Sequence, residues 1–141
     1  MYLPDNNLWL ALAFPSHAHH ASAKAWMQTV TDKNDCCFCR VTQMGFLRLA
    51  TNPKVLGSHA VPMFEAWRGF DLMLSDDRIA VVEEPSAIDA AWRGFTQRQS
   101  FSTNVWTDAY LAAFAMAADM KLVTFDKGFT QFKGLRVTIL Y

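Results

Sequence analysis

Short β-rich runs alternate along this chain with longer stretches in which apolar residues recur at helical spacing. The opening YLP run reads as a strand that ends in a turn at Asp5-Asn6-Asn7, with residues 8–13 helical until Phe14-Pro15-Ser16 breaks them. Ser16 is placed to cap a second helix carrying His20, Ala23, Trp26 and Val30, which the polar TDKND stretch closes. Residues 38–42 read as a buried strand, and Thr42 then opens a helix with Phe46, Leu47 and Leu49 that Asn52-Pro53 stops. After a loop containing Gly and Ser, Pro62 fits the first turn of a helix whose Met63, Trp67, Phe70 and Leu74 share helical spacing. Residues 79–82 are β-rich, Ser86 and Asp89 have capping-box spacing before a helix over 90–98, and QRQSFSTN is loop-like. Residues 108–120 are apolar nearly all round, as in a central buried helix. Residues 121–125 and 136–140 complete the strands.

Strands alternating with helices predict a three-layer α/β/α domain on a mostly parallel sheet, with no internal repeat and no dividing linker, so residues 1–141 form one domain. In such sheets ligands gather at the carboxyl ends of the strands. Asp5 and Asp126 both closely follow strand-like runs, which places them at one edge.

Composition narrows the function. The 141 residues are 52% hydrophobic and 18% charged, as in a packed globule, and 13 basic residues balance 13 acidic ones. Bulk charge therefore gives no support to a generic nucleic-acid coat, and any RNA contact needs a local patch or a bound metal. No run approaches the ~20 apolar residues of a membrane span, and the residues before the 8–14 apolar stretch carry an acid and no base, unlike a secretory leader. A soluble cytoplasmic protein with no membrane association is expected. Cys36, Cys37 and Cys39 are odd in number and crowd one short apolar run, which suits a reducing compartment and lacks zinc-ligand spacing.

Three aspartates remain, each where a strand passes to a helix or loop: Asp5 in YLPDNNLWLAL, Asp108 in WTDAYLAAFAMA and Asp126 in KLVTFDKGF. Their neighbours are too apolar to tolerate a free carboxylate. Brought together, they need a countercharge, for which a divalent cation such as Mg²⁺ is suited. A metal polarises a phosphoryl oxygen and activates a bound water, so phosphodiester chemistry needs no Ser or Cys nucleophile. Aspartates at strand ends are also ordinary helix caps and turn formers, and spacing alone leaves both readings open.

Around these acids, Asn7 is a candidate for the water shell of a metal or for an Asx turn. Thr124, two residues before Asp126, shares its strand face and is placed to donate to a carboxylate or a phosphate. Asn104 and Thr107 precede the Asp108 helix as caps or RNA contacts, and Arg48 is a candidate for a phosphate contact or a surface ion pair. His17, His19 and His20 begin an Ala-rich helix in solvated or partner-facing positions. The tryptophans, Trp9, Trp26 and Trp106 among them, are expected mainly in the core.

Four segments carry a family resemblance: DNNLWLAL from Asp5, TQMGFLRLATNP from Thr42, TDAYLAA from Thr107 and LVTFDKGF from Leu122. Over its whole length the chain resembles PIN domains of the VapC toxin type. The resemblance implies a Mg²⁺- or Mn²⁺-dependent endoribonuclease of a toxin–antitoxin pair, usually a homodimer, silenced by an antitoxin protein whose C-terminal segment covers the active site. The family's acidic residues map onto Asp5, Asp108 and Asp126. Where the pattern commonly has a glutamate, this chain has Gln43, a neutral amide that orients water but neutralises no cation. Either another acid such as Glu65 reaches in, or metal binding and activity are weaker. Two rivals follow: a PIN module that binds RNA or protein without cleaving, and a hydrolase directed at DNA or phosphomonoesters.

Overall fold

The structure, a computed structural model, describes residues 1–141. Five short strands form one sheet in the order β3-β2-β1-β4-β5, where β1 is Tyr2–Pro4, β2 Cys36–Phe38, β3 Ile79–Val81, β4 Lys121–Thr124 and β5 Val137–Ile139. All four pairings are parallel, with Leu3 opposite Leu122 and Cys37 opposite Ala80. The α/β expectation is borne out, and "mostly parallel" becomes wholly parallel because every connection is a crossover, carrying α-helices in the first three cases and a 3₁₀ turn between β4 and β5.

Side-chain alternation sorts the helices onto two faces. Leu3, Cys37 and Leu122 point to one side, where α7 (Val105–Ala117) lies and α6 (Ile88–Thr96) packs against it. Cys36, Phe38 and Val123 point to the other, toward α1 (Asn6–Ala13), α2 (His20–Met27), α3 (Arg40–Ala50) and α5 (Met63–Leu74). Phe38 anchors this second face. Fully buried Trp9 stacks on it at 3.6 Å, and Phe70 meets it edge-on at 5.0 Å. On the first face every residue from Ala109 to Ala115 is buried, as the apolar run requires.

Several boundaries differ from the sequence reading. Ser16 caps nothing, because Phe14 and His17 carbonyls close two turns before α2, which starts after His19 without a side-chain cap. The Ser86/Asp89 capping box is absent. Asp89 instead pairs with Arg93 one turn along at 2.7 Å. The second strand lies earlier than residues 38–42, because Cys36–Phe38 is what pairs with β3, and the Thr42 hydroxyl accepts from the Cys39 N–H at 3.0 Å, starting α3 at Arg40. The Gly/Ser loop holds a short helix, α4 (Pro53–Leu56), and a 3₁₀ turn at Gly57–His59. No helix is long and apolar enough to cross a membrane.

Candidate active site

The strand order reverses between β1 and β4: the chain leaves β1 toward β2 and β3, then returns to add β4 on the other side. Beyond the carboxyl ends of those two strands lies the crevice in which open α/β sheets bind ligands. Asp5 directly follows β1, and Asp126 lies two residues past β4. Helix α7 leads back toward the start of β4, so its first turn, with Asp108, lies at the same edge.

Asp5 is the N-cap of α1, and it is 5% exposed. Its Oδ1 accepts from the Leu8 N–H at 2.8 Å, and its backbone N–H donates to the Val123 carbonyl at 3.0 Å, which ties the cap to β4. The predicted separate turn at residues 5–7 is therefore compressed into a cap. The Thr124 hydroxyl, fully buried, donates to Asp5 Oδ2 at 2.5 Å and accepts from the Asp126 N–H at 2.9 Å. One hydroxyl thus fixes two of the three aspartates, a stronger role than a strand residue needs for packing. Asp126 in turn caps a 3₁₀ turn at Lys127–Gln131, its Oδ1 accepting from the Gly128 N–H at 2.7 Å. A Cβ at Gly128 would meet that oxygen at 3.0 Å, so glycine leaves the carboxylate room to sit there.

The electrostatics tie the three acids together. Burial raises the Asp5 carboxyl from 3.8 to about 6; the Thr124 and Leu8 hydrogen bonds work against the rise, and the charges of Asp126 and Asp108 add to it. The α1 N-terminus also favours the anion, yet desolvation wins. Asp108, half-buried, is pushed up by burial and then by the charge of Asp126. No three His, Cys, Asp or Glu side chains stand close enough, as they are, to enclose a metal ion. Mutual repulsion of bare carboxylates opposes closer approach. The donors are nonetheless all oxygen and the acids sense one another's charge, which fits a hard divalent cation.

The remaining candidates separate. Gln43, 7% exposed in the first turn of α3, accepts a hydrogen bond from the Arg40 guanidinium at Oε1. It lies two residues from Gly45, where α3 meets α1 so closely that a Cβ would overlap the Asn6 side chain. Asn7 is exposed and makes no side-chain hydrogen bond. Asn104 holds the N-cap position of α7 without a capping bond, and Ser102 Oγ accepts from the Val105 N–H at 3.4 Å instead. Thr107 is exposed. Arg48 lies in the groove between α3 and α5 beside Met44, Leu47 and Trp67, and makes no ion pair. Glu65 does not reach in: it is on α5, paired with Arg68 at 3.1 Å. The histidines are more engaged than expected, His19 stacking on Phe125 at 4.4 Å and His20 Nδ1 meeting the Ala11 carbonyl at 2.7 Å. Asn6 figures in the sequence only as a turn residue, and Arg40 not at all, although its spacing, three before Gln43, holds the signal for their contact.

The pattern of the PIN domain family matches residues 2–135. Ribonuclease VapC41 of Mycobacterium tuberculosis is 45% identical over 99% of both chains. The chain belongs to the VapC branch of the PIN-domain ribonucleases. Among solved structures, VapBC2 from Rickettsia felis, bound to a promoter DNA fragment, shares the fold with a TM-score of 0.74 at 14% identity, over 99% of this chain and 98% of that one. The sarcin–ricin-loop-cleaving toxin VapC20 of M. tuberculosis gives 0.68 at 16% identity, over 97% and 98%. For this VapC family member, the resemblance carried by the four sequence segments is thereby borne out.

Proposed function

We propose that the protein is a metal-dependent endoribonuclease, the toxin of a VapBC-type pair, with Asp5, Asp108 and Asp126 as the residues that hold Mg²⁺ or Mn²⁺. The observation that carries this reading is the electrostatic linkage of three carboxylates at the switch point, one of them buried with its pKa raised to about 6. An uncompensated buried carboxylate destabilises the fold, and such costs concentrate at working sites. A bound cation supplies charge neutralisation and an activated water for attack on a phosphodiester.

The chain's own groups do the rest. Thr124 holds the Asp5 carboxylate and the Asp126 backbone in fixed relation, so closing on a cation is left to side-chain movement of Asp126 and Asp108. Gln43, Asn7, Asn104, Thr107 and Arg48 are auxiliary, to be ranked by RNA affinity. RNA in the cytoplasm is the substrate, and the partners are a cognate antitoxin and a second copy of the chain. Exposed Met63, Phe64, Trp67 and Leu72 on α5 support a protein partner, since this much apolar surface on one helix suits burial by another chain.

The test is cleavage by purified protein freed of any antitoxin, on RNA, DNA and a phosphomonoester, in EDTA, Mg²⁺ and Mn²⁺. Endonucleolytic cleavage of RNA alone, and only with metal, is expected. Metal-loaded protein that binds RNA without cutting it supports the non-cleaving module that Gln43 suggests, and cleavage of DNA or a monoester supports the other hydrolase.

A further inference from the structure

Arg40 carries no ion pair, and its only side-chain partner is Gln43 Oε1. A guanidinium has five N–H donors and no acceptor, so only the carbonyl end of an amide can face it. The orientation of the Gln43 amide, otherwise a two-way choice, is thereby fixed. The oxygen that would be a ligand lies against the positive charge of Arg40, itself exposed, which disfavours a second cation there. The NH₂ end remains. Gln43 Nε2 makes no hydrogen bond, yet the sealed-off polar atoms without partners are Asn6 Oδ1 and Trp9 Nε1, so Nε2 keeps an opening to solvent. Gln43 itself is otherwise buried and cannot easily swing elsewhere.

We propose that Arg40 is a positioning residue: it holds Gln43 by the carbonyl oxygen and so keeps that oxygen from serving as a metal ligand. The inference rests on the ribonuclease reading of the site. It carries a consequence that a merely structural contact lacks. A carboxylate placed at position 43 pairs with Arg40 and stays unavailable to metal, and it becomes a ligand only when Arg40 is removed.

The experiment compares wild type, Arg40→Gln, Gln43→Glu and the double variant, each as the full chain, by thermal melts in EDTA and by calorimetric titration with Mn²⁺ alone. In EDTA, Gln43→Glu is expected to raise the melting temperature when Arg40 is present and to lower it in the Arg40→Gln background. With Arg40 present, Gln43→Glu changes Mn²⁺ affinity by less than about threefold; without it, affinity tightens by about tenfold or more, the scale on which neighbours of a metal ligand act. Arg40→Lys, which keeps a charge and a donor, holds the introduced carboxylate back as Arg40 does. Additive melts together with tenfold tightening by Gln43→Glu alone overturn the pairing and leave the metal site standing. Coupled melts with no Mn²⁺ bound by any of the proteins uphold the pairing and overturn the metal site.

Discussion

Replacing Asp5 by asparagine isolates the energetic cost of the site. Folding raises the carboxyl from 3.8 to about 6, and at about 1.4 kcal/mol per pKa unit the ionised form costs the folded protein about 3 kcal/mol. Between those two values the folded state binds more protons than the unfolded one, so stability falls as pH rises. Below 3.8 the cost is absent, and above about 6 it is complete. Asparagine keeps an oxygen for the Leu8 N–H and turns its NH₂ toward the Thr124 hydroxyl oxygen, which removes the charge but takes the acceptor from the buried Thr124 proton at a cost of about 1 kcal/mol. In EDTA at pH 7.5 the Asp5→Asn protein is therefore expected to be more stable than wild type by about 1–3 kcal/mol, some 2–10 °C for a chain of this size. At pH 4 the two should nearly coincide. Saturating Mn²⁺ stabilises wild type, by about 2.7 kcal/mol at a hundred times Kd, and leaves the variant nearly unmoved. Melts of both proteins from pH 4 to 8, with and without Mn²⁺, give the difference directly, since titrating groups away from the site cancel and only Asp108 and Asp126, whose charges act on Asp5, add to it. A wild-type-minus-variant difference that is flat with pH, or that favours wild type in EDTA at pH 7.5, would falsify the raised Asp5 carboxyl and with it the strained site.

Two further substitutions probe how the site is held. Thr124→Val leaves Asp5 Oδ2 and the Asp126 N–H without their shared partner, and should cost about 1–3 kcal/mol and weaken Mn²⁺ binding, as read by melts and titration; unchanged stability would mean that the hydroxyl bridges nothing. Gly45→Ala drives a Cβ into the Asn6 side chain, and the overpacking cost of about 1–3 kcal/mol should exceed the gain of about 1 kcal/mol in helix propensity. Asn6→Ala should rescue it, and a Gly45→Ala protein more stable than wild type contradicts the close approach of α1 and α3.

The parts of the molecule legible in the sequence are those set by one-dimensional pattern. Alternating strands and helices fix a parallel α/β sheet, and carboxylates beside apolar runs mark Asp5 and Asp108 as costly residues that need a reason, whereas Asp126, beside an equally apolar run, is exposed. Thr124 was visible as a residue on the Asp126 face. Its bridging bond to Asp5 was not, because it joins residues 119 positions apart and depends on β1 lying beside β4. The same holds for Asn6 and Gly45, whose contact exists only through the packing of α1 on α3. Capping spacing alone does not make a cap: Ser16 and Ser86 are placed as caps, but backbone turns at Phe14–His20 and an ion pair at Asp89 satisfy those segments instead. Arg40 gains a role only from the burial of Gln43 against it, which no one-dimensional pattern displays.

The most direct measurement is the anomalous scattering of Mn²⁺ in crystals of the full chain. A single peak is expected beyond the ends of β1 and β4, about 2.0–2.3 Å from carboxylate oxygens of Asp5, Asp108 and Asp126, the distances at which hard divalent cations take oxygen ligands. It should vanish in Asp126→Asn crystals. A Mn²⁺ peak bound elsewhere, or none at millimolar metal, contradicts the assignment of these three aspartates as the metal site.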